Sequence, residues 1–282
     1  IQTGNAPEGF LYGTEYTKED IDRAIRGEIT IETTDEIGHG SELASVAAGS
    51  SLGNGLEFLG AAPSSMIVMV KLKQAKQYLR DYYLIPEGVP AYSEGDIMNA
   101  VNYCNRLQIL YRKPIVICLG LGSSYGNHTG DLPLPTYLDK IASFRNRSIV
   151  VCTGNEGMAA HHYYGVIERR PDISTEAYDD VEISVGANER GFILELWGTL
   201  PNVYWISIRS PSGEVRQGFR PGFGQSQTYR FIYERTIVTL DTILVEPESG
   251  EELFSMRFEN PQEGVWTIRV SLVGDANGGN FH

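Results

Sequence analysis

Gly38-His39-Gly40-Ser41 leads into Glu42-Leu43-Ala44-Ser45-Val46-Ala47-Ala48-Gly49, a run of small and apolar residues at helical spacing. Such a run can mount an imidazole on the first turn of a buried helix, with Ser41 as its cap and Leu43, Val46 and Ala47 turned to a core. The flanking glycines let backbone pass close to a bound molecule. The helix-end field favours neutral imidazole, which is the form a general base needs near pH 7. By itself a histidine between glycines is more often a loop residue than a base, so a second signal is required. Ser148-Ile149-Val150-Val151-Cys152-Thr153-Gly154-Asn155-Glu156-Gly157 supplies it: a short apolar strand ending in a small-residue turn that carries an asparagine. A carboxamide just beyond a strand's carboxyl end can donate to an oxygen that turns negative in a tetrahedral intermediate.

Two further segments stand in order between these. Gly60-Ala61-Ala62-Pro63 precedes Met66-Ile67-Val68-Met69-Val70-Lys71, and Ile115-Val116-Ile117-Cys118-Leu119-Gly120 is an apolar run ending in glycine. The four segments together resemble the subtilisin-like serine peptidases (subtilases, peptidase family S8). In that family a His-Gly-Thr-His motif, a Gly-Val-Ala-Pro turn, a Ser-Leu-Gly strand and a Gly-Asn-Glu-Gly turn follow one another. The resemblance covers roughly the first 165 residues. It implies a serine endopeptidase acting by acyl transfer on a peptide or protein substrate, with His39 as general base and Asn155 in the oxyanion hole. Leu119, Gly120 and Leu121, opposed by Thr153 and Gly154, would hold the substrate as an added strand. Gly13-Thr14-Glu15-Tyr16-Thr17 and Tyr92-Ser93-Glu94-Gly95-Asp96-Ile97 look most like the clostridial Csp-type peptidases of spore germination, which carry a jelly-roll domain inserted late in the peptidase fold. That branch implies a secreted, cell-envelope or spore-associated protein.

Departures from the family pattern are equally informative. The orienting aspartate of an Asp-Thr-Gly or Asp-Ser-Gly turn has no counterpart before His39, and Asp35, close in sequence, is a common neighbour of this turn with no triad role. No Gly-Thr-Ser-Met/Phe-Ala nucleophile motif follows Asn155. Attack, proton transfer and orientation work as a unit, so the chain reads as an internal piece of a longer enzyme and is expected to be inactive alone. Glu42 stands where most members have a second histidine, which leaves open a pseudopeptidase serving as a regulatory or binding partner. A third alternative is a glycan-binding jelly roll using Trp197, Trp205 and Trp266. Gly122-Ser123-Ser124-Tyr125-Gly126 fits the nucleophile elbow of another hydrolase class. However, Asn127-His128-Thr129-Gly130-Asp131-Leu132-Pro133-Leu134-Pro135 reads as a loop where that elbow needs a helix.

The elements that must position these residues change character near residue 175. Before it, helix and strand patterns alternate. Thr17-Lys18-Glu19-Asp20 starts a helix with Ile21, Ala24 and Ile25 inward, and Ser93 caps another with Ile97, Val101, Cys104 and Leu107 on one face. Near-continuous apolar strands at 67–72, 115–119 and 149–152 suit a parallel sheet covered on both faces. After it, strands at 181–185, 192–197, 205–209, 229–233, 236–241, 242–245 and 266–271 come at sandwich spacing. The fold class expected is therefore α/β, a partial subtilisin-like parallel sheet with flanking helices, followed by an all-β jelly roll or β-sandwich. The domains are 1–175 and 176–275, with 276–282 returning towards the first.

The 282 residues, 41% apolar, suffice for a sizeable core, and the net charge of −13 argues against nucleic acid and anionic membranes. No run is long enough to span a membrane. Cys104, Cys118 and Cys152 read as buried free thiols. No metal or other cofactor is expected: His161-His162 lacks a third ligand at a helpful spacing and suits a loop at the domain junction, and Gly274-Asp275-Ala276-Asn277-Gly278 has too few ligands for calcium.

Overall fold

The structure, a computed structural model, describes residues 6–51, 58–168, 177–273 and 278–282. It divides into two units, Ile1–Met69 and Val70–His282. The expected domain boundary at 175, and most of the stretch at 274–278 weighed for calcium, lie outside the described residues.

In the first unit, α1 (Lys18–Ile25) begins as its sequence dictates, with a capping box. The Thr17 hydroxyl accepts from the Asp20 N–H at 3.3 Å, while the Asp20 carboxylate accepts from the Thr17 N–H at 2.9 Å. Ile21 and Ile25 were expected to face inward and instead meet solvent, at 44% and 79% exposure. The following helix, α2 (His39–Ala48), likewise buries no residue, and Val46 is 59% exposed. Its carboxyl end is held by backbone: the N–H groups of Gly60, Ala61 and Ala62 donate to the carbonyls of Gly49, Val46 and Ala47 at 2.8 to 2.9 Å. This turn takes up carbonyls that a helix end leaves orphaned. It needs glycine at position 60, where a Cβ would lie 2.5 Å from the Gly49 nitrogen. The strand expected at 67–72 does not form; those residues join no ladder, and Met66, Ile67 and Met69 are more than half exposed.

The second unit opens with α3 (Gln77–Tyr82) and α4 (Glu94–Tyr111), on which Ile97, Val101 and Cys104 are buried along one face. Strand β1 (Ile115–Leu119), helix α5 (Pro133–Ala142) and strand β2 (Arg147–Val151) follow, with β1 and β2 parallel and Ile117 opposite Ile149. Helix α5 starts inside the expected loop, because proline at the first helical positions forfeits only an N–H that has no partner there. Buried Ile117 and Ile141 mark the face covered by helices, whereas Val116 and Val150 are 68% and 51% exposed on the other. Among the described residues, the small parallel sheet is therefore covered on one face only. Of the three thiols, Cys104 is buried, but Cys118 and Cys152 are exposed, since strand alternation sets Cys118 on the open face with Val116.

The described residues that follow build ten strands: β3 (Gly165–Glu168), β4 (Tyr178–Val185), β5 (Gly191–Gly198), β6 (Tyr204–Arg209), β7 (Val215–Phe219), β8 (Phe223–Arg230), β9 (Ile237–Ile243), β10 (Glu252–Glu259), β11 (Gly264–Leu272) and β12 (Gly278–Phe281). They form antiparallel sheets of order β3-β12-β5-β10-β9-β8 and β4-β11-β6-β7, packed on one shared core. Alternation along β9 turns Val238, Leu240 and Thr242 inward, and Trp266 meets the rings of Phe231 and Phe258 edge-on at 5.0 and 5.4 Å. At 278–281, β12 inserts between β3 and β5, and the His282 and Trp197 backbones exchange hydrogen bonds of 2.7 and 3.0 Å. Strand β9 runs unbroken where two strands were expected.

The sandwich also grips the helical part of its own unit. Arg257 on β10 donates to the carbonyls of Tyr82 and Asp81 at 2.8 and 3.0 Å, capping the end of α3.

Candidate functional site

His39 occupies the first helical position of α2, behind Gly38, which adopts a left-handed conformation with φ 89°. The sequence suggests Ser41 as the cap. The cap is in fact Asp35: its carboxylate accepts from the N–H groups of Ile37, Gly38 and Ser41 at 3.2, 2.9 and 3.0 Å, and from the Ser41 hydroxyl at 2.6 Å. The Ser41 hydroxyl bond first, then the backbone donors, hold the Asp35 carboxyl well below the usual carboxylate range. Asp35 therefore organises the turn that carries His39. Its signature, an aspartate a few residues before a glycine-started helix, is visible in sequence.

The other candidate residues lie in the second unit. Parallel register sets Leu119 beside Val151, and the Cys152 N–H donates to the Leu119 carbonyl at 3.2 Å, prolonging the ladder by one step. The two chains therefore leave the sheet side by side, Gly120 and Leu121 along one, Thr153, Gly154 and Asn155 along the other. Gly154 has φ 82° and turns the second chain away, with Thr153, Gly154 and Asn155 all exposed. A Cβ on Gly122 would meet Cys152 Sγ at ordinary contact distance, 3.7 Å. Six of the seven residues expected at the site thus share one rim at the carboxyl ends of β1 and β2; the seventh, His39, belongs to the first unit.

No helix follows Ser124, so the elbow pattern at 122–126 is an irregular loop up to α5. That loop is tied to the sandwich by a carboxylate that sequence reasoning overlooked. Glu195 on β5 accepts from the Gly126 N–H at 3.0 Å and from the Trp197 indole at 3.1 Å. Burial raises its pKa, opposed by these hydrogen bonds. Gly126 has φ 103°, and a side chain there would collide with Leu132.

Three histidines gather alongside. The His128 ring lies 4.6 Å from His162 and 5.6 Å from His282, with His162 and His282 5.9 Å apart. They are separated by 34 and 120 positions, so no local spacing announces them. His161 instead pairs with Glu156 at 2.7 Å. Among the described residues no group of three or more His, Cys, Asp or Glu is arranged to hold a metal ion. None of the helices described is long and apolar enough to cross a membrane. Trp197 and Trp266, considered above for sugar stacking, are 2% and 0% exposed and pack in the sandwich core.

Neither the protein-family models nor the curated proteins contain a match to this chain. Among solved structures, it is similar to the CspB protease of Clostridium perfringens, with a TM-score of 0.73 and 22% identity over 92% of this chain and 50% of that one. The likeness is one of fold: a protease-like arrangement of small parallel sheet, helices and antiparallel sheets. The chain spans about half the length of that neighbour.

Proposed function

We propose that this chain is part of a subtilisin-like serine endopeptidase, with a partial catalytic domain followed by an inserted jelly roll. In this reading His39 removes the proton of an attacking serine and later delivers it to the leaving amine. Asn155 donates to the oxyanion, and Leu119, Gly120 and Leu121 with Thr153 and Gly154 receive an extended peptide. The observation that carries it is the matched exit of the two parallel strands, which sets a glycine-bearing edge beside an asparagine turn at one rim. The protease fold of the structural neighbour supports it.

Within the 282 residues no serine or aspartate is assigned to the triad, and Asp35 is already occupied as a helix cap. The chain alone is therefore expected to leave peptides intact. The test uses the full-length gene product and a fluorogenic peptide series. His39→Ala should abolish hydrolysis, and Asn155→Ala should lower kcat on the order of 10²–10³-fold with KM little changed. Full activity in either variant rejects the assignment. Glu42 in place of the family's second histidine favours one rival, a pseudopeptidase that binds without cutting. It predicts tight association with an unfolded protein and no hydrolysis by the full-length product.

A further inference from the structure

The rim loop, residues 120–132, runs from β1 to α5 with no ladder of its own, and side chains around the sandwich hold it down. Glu195 on β5 takes the Gly126 N–H and the Trp197 indole on one oxygen and is also hydrogen-bonded by the Tyr125 hydroxyl. Asn127, next in the loop, is only 1% exposed, and its backbone carbonyl serves His282. The Nε2 atom of His282 is buried without a partner. His128 from the loop, His162 from the stretch before β3 and His282 after β12 then gather with ring centroids within 6 Å of one another, tilted or edge-on. The charged and titratable groups facing this cluster are few. Glu195 feels the charge of His128, Glu251 ahead of β10 faces Asn127 and Asp131, and Glu156 is already paired with His161.

A proton on His282 meets burial at an Nε2 that has no partner, beside the rings of His128 and His162. Resting on the peptidase reading above, we infer that Glu195 is the positioning residue of the rim loop and that the His128–His162–His282 cluster makes its hold acid-labile. At neutral pH the loop is pinned beside the substrate rim. As His282 gains a proton at its buried Nε2, its hold on the Asn127 carbonyl loosens, residues 120–132 are freed, and the rim loses its fixed wall.

The direction is supported by His282, whose pKa is lowered by burial first and then by the other two histidines. A histidine held neutral in the folded state contributes stability above its unfolded pKa and loses it as pH falls.

The experiment is hydrogen exchange of the loop amides in the 282-residue chain, normalised for intrinsic rate, between pH 7.5 and 5.0. Protection at Gly126 and Asn127 is expected to fall at least tenfold through about pH 6. The double variant His162→Gln/His282→Gln should keep neutral-pH protection and lose the fall. Glu195→Ala should lose protection at every pH, and Glu195→Gln, which retains an acceptor oxygen, should restore it at pH 7.5. Equal protection in Glu195→Ala and the parent overturns the positioning role. A pH response unchanged in the double histidine variant overturns the switch even where Glu195→Ala does not fold. Binding of fluorescein-labelled casein, followed by anisotropy across the same pH range, separates the two readings. A pH-dependent loop in a chain that ignores casein upholds the clamp and counts against the peptidase rim, whereas casein binding beside a pH-indifferent loop does the reverse.

Discussion

Glu252 places an ionisable carboxyl at the first position of β10 with no solvent exposure, between the two sheets of the sandwich. It accepts the Tyr204 N–H at 3.0 Å, and the Tyr204 hydroxyl in turn donates to the Asn280 carbonyl at 2.8 Å, so one chain of bonds ties β10, β6 and β12. Burial pushes the Glu252 pKa up to about 8, with only the Tyr204 N–H opposing it. Between the unfolded value of 4.5 and about 8, the native state holds a proton that the unfolded chain has released. Stability therefore falls as pH rises through that window, by about 1.4 kcal/mol per pH unit. The whole displacement corresponds to about 5 kcal/mol, and the part between pH 5 and 8 to about 4 kcal/mol. Glu252→Gln keeps an acceptor for Tyr204 and cannot ionise. Urea unfolding followed by tryptophan fluorescence reports on the sandwich alone, because Trp197, Trp205 and Trp266 all lie in it. The wild-type chain should lose stability relative to Glu252→Gln steadily from pH 5 to 8 and no further above about 8. Parallel pH profiles for the two proteins would refute the reasoning, since they would mean that Glu252 titrates alike in the folded and unfolded states.

Two further perturbations test the site's supports. Cys118 and Cys152 are exposed while Cys104 is buried, with its thiol pushed up to about 11, so an Ellman titration of native protein should count two fast thiols and a third only in denaturant. Three fast thiols, or one, would contradict the open sheet face. Asp35→Ala should raise hydrogen exchange at the Ser41 amide and loosen the turn carrying His39, with Asp35→Asn intermediate. The depressed Asp35 pKa keeps the cap intact above the ordinary carboxylate range, so the parent should show this loosening only in strong acid; unchanged Ser41 exchange in Asp35→Ala would remove Asp35 as the cap.

What the sequence revealed tracks how local the determining forces are. The capping box at Thr17 and Asp20, the apolar face of α4 and the strand at 115–119 are set by residues a few positions apart, and each forms where its pattern stands. The strands over 192–197 and 266–271 were legible from alternation. Strands β3, β7, β10 and β12 were not. Strand β10 is eight residues long, and Glu252, Arg257 and Glu259 break up its apolar pattern, whereas β3, β7 and β12 are four or five residues long and glycine-bearing and exist because longer neighbours offer them a ladder. Burial of Ile21, Ile25, Val46 and Cys118 was misjudged for a related reason: an apolar stripe says which face could be covered, and what covers it is decided elsewhere.

The same distinction separates the two supports of the candidate site. Asp35 acts within six residues, on backbone it adjoins, and such a cap holds a helix start whatever the rest of the fold does. Glu195 acts on Gly126 across 69 positions, so its carboxylate reaches the rim loop only when β5 is already seated in the six-stranded sheet. The rim loop is then the part of the parallel-sheet region whose order depends on the sandwich having folded. Gly126 favours the contact, because its positive φ strains any L side chain and a Cβ there would press on the Leu132 methyl. A substitution at Gly126 would therefore strike the loop and its sandwich anchor together, while the β1–β2 ladder, held by its own register and by α4 and α5, would persist.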